Sequence, residues 1–265
     1  MTFDDHACRL LGLVREQGPL VHCITNFVAM DAAANAVLAI GASPAMVHDA
    51  EEVAEFTAIA SALTVNIGTL TPAWVESMKI AARTAVANGK PWVFDPVGVG
   101  ATTLRRKASA ELLALKPTVV RGNASEIMVL AGIADAGQKG VDSTQSSEAA
   151  EEPAKRLAKS TGGAVVVTGA VDIATDGSRV FRIANGHPLM PRVTALGCSL
   201  TAITGAFAAV ETDATLAAAV ATALFGLAGE IAARTAKGPG SLRVGLMDAL
   251  HNMNESAIRG ALRVS

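Results

Sequence analysis

Short runs of apolar and β-branched residues alternate with longer helical patterns over the first two thirds of the chain. These runs indicate strands at 19–24, 44–47, 63–67, 91–95, 117–121 and 164–169. Helical patterns separate them, near 27–40, 51–61, 72–88, 102–114, 124–131 and 147–160. Near-continuous apolar strands separated by helices are typical of a parallel sheet covered by helices on both faces. The chain is therefore expected to be an α/β protein with a mostly parallel central sheet.

The remainder of the chain follows a different pattern. Residues 173–183 hold an Asp-Gly turn between two short apolar runs, which predicts a hairpin. From 197 the sequence is helical in character to its end, interrupted by Gly-Pro-Gly at 238–240, and 134–149 is expected to be a surface loop. Because no linker rich in Pro, Gly or Ser divides the chain, residues 1–265 are predicted to form a single domain.

Composition excludes several classes of partner. The net charge of −2 gives no basis for binding nucleic acid or an anionic membrane. The N-terminus MTFDDHACRL does not resemble a signal peptide, and the Ala-rich stretch 214–229 is judged too short for a membrane span. Three widely spaced cysteines form neither a disulfide framework nor a metal pattern. These features predict a soluble cytoplasmic protein.

Polar residues at the strand ends are the candidates for a ligand site, because open parallel sheets bind ligands beyond the carboxyl ends of their strands. Asp95 follows one strand, where it either faces the crevice or caps a turn. Arg121 ends the next, where an arginine suits a phosphate. Asn123 and Glu126 have the spacing of a helix capping box, the favoured interpretation from geometry alone. Thr168 and Gly169 fit either a phosphate site or a tight turn.

Near the N-terminus, Asn26 stands where a helix begins and is interpreted first as an N-cap. His22 lies within an apolar strand, so a hydrogen-bonded core histidine is the favoured interpretation. The histidines lack the spacing of a metal site built from protein ligands alone.

Gly197 and Cys198 stand at the start of a small-residue apolar helix, in the stretch VTALGCSLTAITGAF. The cysteine is open to interpretation as a packing residue or as a nucleophile activated by a distant base. The segment also fits an anion hole for a transferring phosphoryl group, since a helix N-terminus attracts anions. The same setting is expected to lower the pKa of the Cys198 thiol. The sequence contains no GxxxxGK[ST], which excludes a P-loop enzyme.

Nine segments, in order and spanning nearly the whole chain, resemble the hydroxyethylthiazole kinase family of the ribokinase-like superfamily. They are VHCITNFVAMD, GASPAMVHD, NIGTL, FDPVGVGAT, VVRGNASEI, KGVDS, NGHPLMPRVT, GCSLTA and GPGS. The resemblance implies a Rossmann-like ribokinase-type fold and ATP-dependent phosphorylation of the primary alcohol of 4-methyl-5-(2-hydroxyethyl)thiazole in thiamine salvage. It also implies Mg²⁺ and a ring-shaped homotrimer with active sites between subunits.

The resemblance also assigns roles to residues. It places Asn26, Met46, Gly68 and Ala195 at the thiazole alcohol. It assigns ATP to Arg121, Thr168, Asn123 and Gly169. It assigns Mg²⁺ to Asp95 and Glu126, and it gives Cys198 the catalytic position, next to the substrate hydroxyl.

One departure concerns the segment before the cysteine. The family pattern TG(T/A)GC is replaced here by Thr194-Ala195-Leu196-Gly197-Cys198. If position 195 requires a positive φ, alanine is strained there and glycine is not. We therefore expect a tighter pocket near the substrate hydroxyl.

Three alternatives remain open from the sequence. One is a kinase for another small alcohol, such as hydroxymethylpyrimidine, pyridoxal or a sugar. Another is a hydrolase or transferase with Cys198 as its nucleophile. The third is a nucleotide sensor without turnover, which the alanine at 195 makes conceivable.

Overall fold

The computed structural model describes residues 1–133 and 146–265. Within them, eight strands form one sheet in the order β2-β1-β3-β4-β5-β6-β7-β8. Their bounds are β1 Leu20–Ile24, β2 Ser43–Ala45, β3 Ala62–Asn66, β4 Trp92–Asp95, β5 Val119–Asn123, β6 Ala164–Thr168, β7 Asp172–Thr175 and β8 Val180–Ile183.

Helices connect and cover these strands. Their bounds are α1 Phe3–Gln17, α2 Met30–Ile40, α3 Val53–Ile59, α4 Pro72–Ala87, α5 Thr103–Leu113, α6 Ala124–Leu130, α7 Glu151–Thr161, α8 Leu196–Ala208, α9 Ala214–Ala233, α10 Pro239–Asn252 and α11 Glu255–Ile258. Short 3₁₀ helices lie at Glu148–Ala150 and Met190–Arg192.

The sheet is parallel from β2 to β6, and β7 and β8 continue it in antiparallel pairing. The predicted parallel sheet and the hairpin at its end are therefore both confirmed. Strand β5 extends to Asn123, two residues beyond the predicted end, because Gly122 and Asn123 still pair with β6. The order of the strands along the chain reverses at β1, which has β2 on one side and β3 on the other. Open α/β sheets form their ligand crevice at such a point.

Helices cover both faces of the sheet, as the alternating pattern predicts. Helix α8 packs against β1, β3 and β4, while α9 packs against β5 to β8. On the opposite face α4, α6 and α7 lie against β3 to β7. The core is rich in alanine, which allows helices and sheet to approach closely. This packing fixes the first turn of α8 against the carboxyl edge of the central strands.

Helix α9 is longer than the apolar stretch 214–229 considered from sequence. It has 20 residues, and an 18-residue window within it has a mean hydropathy of 1.8, so by length and composition it is sufficient to cross a membrane. The sequence prediction that this stretch is too short was therefore wrong on length. However, 78% of the window is buried inside the protein, where α9 packs between the sheet and helices α1, α8 and α10.

Two further elements differ from the sequence prediction. Helix α1 was not predicted, although Thr2 and Asp5 form a capping box that begins it. Residues 209–213 add an interruption between α8 and α9 that the apolar pattern conceals. Most of the predicted loop 134–149 lies outside the described residues, and the motif KGVDS lies wholly outside them. Residues 148–150 of the predicted loop form a 3₁₀ helix.

Candidate active site

The candidate site lies at the carboxyl edge of the central strands, as the parallel sheet predicts. Asn66 at the end of β3 is the register partner of Asp95 at the end of β4. Asn123 at the end of β5 is the partner of Thr168 on β6. Parallel strands in register thus bring residues that are distant in sequence to one edge. The first turn of α8 closes this edge from one face of the sheet.

Asp95 is fully buried at the centre of this edge. Its Oδ2 accepts hydrogen bonds from Asn66 Nδ2 at 2.7 Å and Thr201 Oγ1 at 2.8 Å, and lies 3.5 Å from Arg121 Nη1. Its Oδ1 has no hydrogen-bond partner among the residues that the structure describes. Burial raises the pKa of the Asp95 carboxyl, and the Arg121 charge opposes that rise.

Arg121 lies between the carboxylate and the start of α8. Its Nη2 donates to Thr168 Oγ1 at 2.8 Å. A β-carbon built at Gly197 would lie 2.7 Å from Arg121 Nη1, so only glycine leaves the guanidinium its place. The first amides of a helix have no intrahelical acceptor. Guanidinium and helix N-terminus together form a positively polarised cradle that suits a phosphate group.

Thr168 and Gly169 are also expected at ATP, and Thr168 contacts Arg121 of this cradle. Thr168 Oγ1 accepts from Arg121 and donates to the carbonyl of Gly122 at 3.3 Å. The Gly169 amide donates to Asp172 Oδ1 at 2.8 Å. The turn between β6 and β7 is therefore held by a carboxylate that sequence reasoning did not single out. Burial raises the pKa of Asp172 to about 7.

Asn123 and Glu126 form the capping box that their spacing predicts. Asn123 Oδ1 accepts from the Glu126 amide at 3.0 Å, and Glu126 Oε2 accepts from the Asn123 amide at 2.8 Å. The second oxygen, Oε1, accepts from the Gly98 amide at 2.8 Å. Burial, together with the charge of Asp95, raises the pKa of Glu126 to about 7. The carboxyl group that caps α6 therefore also belongs to the charge balance of the site.

Cys198 lies in the first turn of α8, half-buried, with its thiol facing two amides. Its Sγ accepts from Asn66 Nδ2 at 3.2 Å and from Asn26 Nδ2 at 3.4 Å. Burial, and to a lesser extent Asp95, raises the pKa of this thiol to about 11. The sequence argument that a helix N-terminus lowers the pKa of this thiol is therefore wrong, because desolvation and a nearby carboxylate outweigh the helix. At neutral pH the group is a thiol, which is a poor nucleophile and a poor base.

The residues expected at the alcohol are brought together in part. Asn26 Oδ1 accepts from the Ala29 amide at 3.0 Å, which fixes the turn before α2. A β-carbon at Gly68 would lie 2.6 Å from Asn26 Nδ2, so this glycine packs directly on the asparagine. Met46 follows β2 at the edge of the same sheet, half-buried against the apolar cluster that includes α2 and α8. Asn26 and Gly68 thus adjoin Cys198, while Met46 lies beyond β1.

His22 is a core histidine, as expected. It is fully buried, and its ring nitrogens lie 3.0 Å from Thr57 Oγ1 and 2.8 Å from the carbonyl of Val47. Burial lowers its pKa.

Ala195 occupies the N-cap position of α8 with φ +66° and ψ +4°, in the left-handed region. Among the described residues, Lys116 is the one other non-glycine residue with a positive φ. Position 195 therefore has the backbone conformation for which glycine is favoured.

Besides Asp172, three contributors were not identified from the sequence: Asn66, Thr201 and Arg105. Arg105 Nη1 and Nη2 donate to three carbonyl oxygens, each at 2.6 Å, on the segments that follow β3 and β4. The signal for Asn66 was available, since an asparagine closes the buried strand LTVNI and begins NIGTL. Thr201 and Arg105 lie on helices, and their sequence context gives no indication of the residues they contact.

The predicted Mg²⁺ site was tested against this donor set. Among the described residues, no group of three or more His, Cys, Asp or Glu is arranged to hold a metal ion. Asp95 Oδ1 is a buried carboxylate oxygen without a partner, whereas both Glu126 oxygens accept from backbone amides. Such a set fits an ion that keeps most of its waters and binds through one or two carboxylates, as Mg²⁺ does.

An open, mostly parallel sheet that presents an arginine, two buried carboxylates and a helix N-terminus at its carboxyl edge is the arrangement of an α/β phosphotransferase. Comparison with known proteins agrees. Residues 11–256 match the hydroxyethylthiazole kinase family. Hydroxyethylthiazole kinase from Cereibacter sphaeroides is 63% identical over 252 residues, covering 95% of each chain.

Solved structures give the same result. The hydroxyethylthiazole kinase protein from Pyrococcus horikoshii OT3 superimposes with a TM-score of 0.91 at 44% identity, covering 98% of each chain. Pyridoxal kinase from Staphylococcus aureus, solved with ADP, shares the fold with a TM-score of 0.60 at 19% identity over 78% of this chain and 86% of its own. The chain belongs to the hydroxyethylthiazole kinase family, and its fold is of the ribokinase type.

Proposed function

We propose that this protein transfers the γ-phosphoryl group of ATP to the primary hydroxyl of 4-methyl-5-(2-hydroxyethyl)thiazole, forming the thiazole monophosphate and ADP in cytoplasmic thiamine salvage. Membership of the hydroxyethylthiazole kinase family supports the substrate and the reaction. We further propose that residues 1–265 act as one kinase domain, which the single continuous sheet supports.

The observation that carries this proposal is the contact between Arg121 and Gly197. It joins a guanidinium to the N-terminus of α8 and makes an anion cradle. The next residue of the same turn, Cys198, contacts Asn26. A phosphoryl group in the cradle and an alcohol beside Asn26 would therefore lie next to each other. This adjacency is what transfer from ATP to an alcohol requires.

The protein contributes chiefly position and charge. In the transfer, the alcohol oxygen forms a bond to the γ-phosphorus while the bond to the β,γ-bridging oxygen breaks. A loose transition state requires little removal of the alcohol proton, so a strong base is not needed. The Cys198 thiol, whose pKa is raised to about 11, is suited to contact the hydroxyl but not to deprotonate it. Arg121 and the first amides of α8 stabilise the charge on the transferred group.

Asp95 and Glu126 would hold Mg²⁺, Asp95 through its unpartnered Oδ1 and Glu126 through water. The ion would neutralise charge on the phosphate oxygens. The same proposal assigns ATP binding to four residues: Arg121, Thr168, Asn123 and Gly169. Their position at the edge of the sheet, on β5, on β6 and in the turn that follows β6, supports this assignment.

The proposed assembly is a homotrimer with active sites at the subunit interfaces. Phe27 and Val28 support it, because they follow Asn26 directly and are 64% and 61% exposed. Large apolar side chains beside a site are favourable when another subunit covers them. Light scattering is expected to give three times the mass of the chain, and Phe27→Glu to reduce both that mass and the activity.

The first experiment measures ADP release with Mg·ATP and one of four alcohols: hydroxyethylthiazole, hydroxymethylpyrimidine, pyridoxal and ribose. We expect release with hydroxyethylthiazole and its phosphate as the second product. Release with another alcohol in its place would contradict the proposed substrate, while the proposed phosphate site would still stand. ATP binding without ADP release from any of the four would contradict the kinase proposal and support a sensor.

A further inference from the structure

Asn66, at the end of β3, contacts more of the candidate site than any residue considered from the sequence. It is 2% exposed. Its Oδ1 accepts from Asn26 Nδ2 at 2.8 Å and from the Gly68 amide at 3.0 Å. Its Nδ2 donates to Asp95 Oδ2 at 2.7 Å and to Cys198 Sγ at 3.2 Å. One side chain thus joins residues expected at the alcohol, at the metal and at the catalytic position.

The chemistry of its neighbours fixes the orientation of this amide. The Gly68 backbone N–H can only donate, so the atom that faces it must be Oδ1. With Oδ1 so fixed, the atom that faces Asp95 Oδ2 is Nδ2, which donates to it. Both amide hydrogens and both lone pairs of Oδ1 are therefore engaged. A flipped amide would place oxygen against the carboxylate and lose these contacts together.

The position of Asn66 in the sheet explains its reach. It ends β3, and the sequence order of the sheet reverses between β1 and β3, where the ligand crevice of an open α/β sheet lies. Asn26 follows β1 on one side, and Asp95 ends β4 on the other. Cys198 comes from α8, which packs across all three strands. Asn66 is therefore the connection between the alcohol side and the phosphate side of the crevice.

We propose that Asn66 is a positioning residue of the phosphotransfer site, whose Oδ1 holds the alcohol pocket through Asn26 and Gly68 while its Nδ2 holds Asp95 and Cys198. The inference rests on the function proposed above. It divides the role of one amide between two atoms, and the two roles affect different kinetic constants. Loss of the Nδ2 contacts lowers kcat, and loss of the Oδ1 contacts raises the KM for the alcohol.

Two substitutions separate the roles. Asn66→Asp keeps the acceptor that faces Asn26 and Gly68, and replaces the donor to Asp95 and Cys198 by a carboxylate oxygen, which repels Asp95. We expect its kcat to fall by about 10- to 100-fold, with the KM for hydroxyethylthiazole within about threefold of wild type. Asn66→Ala removes donor and acceptor. We expect a similar fall in kcat and a rise of about tenfold in the KM for the alcohol.

Thr64→Val is the matched control. Thr64 lies two residues earlier on β3, on the same face of the sheet, and is 2% exposed. It tests the effect of a buried polar-to-apolar change in this strand without a contact to the site. We expect its kcat and its KM values to equal those of wild type, and thermal unfolding of all three variants reports on the fold.

The outcomes discriminate clearly. A fall in kcat shared by both Asn66 variants, with a KM rise confined to Asn66→Ala, supports the proposal. A kcat within about threefold of wild type in both variants, or an equal KM rise in both, overturns it. If Asn66→Asp does not fold, the test rests on Asn66→Ala, because an unchanged kcat in that variant contradicts the positioning role. Wild-type protein that is inactive on hydroxyethylthiazole would instead refute the proposed function.

Discussion

Replacement of Ala195 by glycine tests both the backbone and the pocket at the start of α8. At φ +66° an L-residue is strained by about 1–2 kcal/mol, which glycine does not incur. Glycine costs about 0.4–1 kcal/mol through the greater entropy of the unfolded chain. The difference between these two ranges is about 0–1.6 kcal/mol, so the central expectation for Ala195→Gly is a net gain of about 0.8 kcal/mol. For a chain of this length that corresponds to a rise in Tm of about 1–4 °C, measured by calorimetry.

The same substitution removes the methyl group of the residue at the N-cap of α8, three residues before Cys198. If that methyl narrows the pocket at the hydroxyl, the KM for hydroxyethylthiazole falls by about tenfold, the lower end of the range for one carbon atom in a pocket. Steady-state ADP release at saturating ATP measures this change. It is separate from the stability gain, because relief of backbone strain does not by itself change the volume of the pocket.

Lys116→Gly is the matched control. Lys116 has φ +54° and is exposed between α5 and β5, remote from the site. We expect the same gain in Tm with unchanged kinetic constants. The reasoning is refuted if Ala195→Gly melts at the wild-type temperature while Lys116→Gly gains stability. Unchanged KM and kcat in Ala195→Gly would refute the tighter pocket.

Three further predictions follow from the charges of the site. Cys198→Ala should keep kcat within about tenfold of wild type. In the wild type, mass spectrometry should show that the rate of alkylation of the Cys198 peptide still increases towards pH 11, because the pKa of the thiol is raised to about 11. Arg121→Lys loses the planar guanidinium that joins Thr168 to the cradle, so the KM for ATP should rise by about 10- to 100-fold. The control variant Arg106→Lys should have an unchanged KM for ATP. The pKa of Glu126 is raised from 4.5 to about 7, so the folded state retains a proton that the unfolded chain releases. Wild type should therefore lose stability as the pH rises from 4.5 to about 7, and urea denaturation of Glu126→Gln should show a smaller loss over that range.

The sequence predicts the frame of the site better than its contacts. Strand ends are marked by local patterns, and parallel register then brings Asp95, Arg121 and Thr168 to one edge without further information. The pKa of Cys198 was predicted with the wrong sign. A helix N-terminus is visible in a sequence, whereas the burial of the thiol against Asn26 and Asn66 and its proximity to Asp95 depend on three-dimensional packing. Helix α1 was not predicted, although its capping box at Thr2 and Asp5 is a local signal in the sequence.

Glu126 shows why a structural and a functional interpretation of one residue need not compete. Its Oε2 caps α6 through the Asn123 amide, and its Oε1 holds the Gly98 amide of the loop that follows Asp95. The same carboxyl group is 3% exposed and has its pKa raised by burial and by Asp95. A carboxyl group that only caps a helix can do so at the surface, where burial does not penalise its charged form. On the proposed function, a cation held by Asp95 and Glu126 would offset the cost of placing two carboxylates together. A capping role therefore fixes the position of Glu126, and the proposed metal site would give its burial near Asp95 a use.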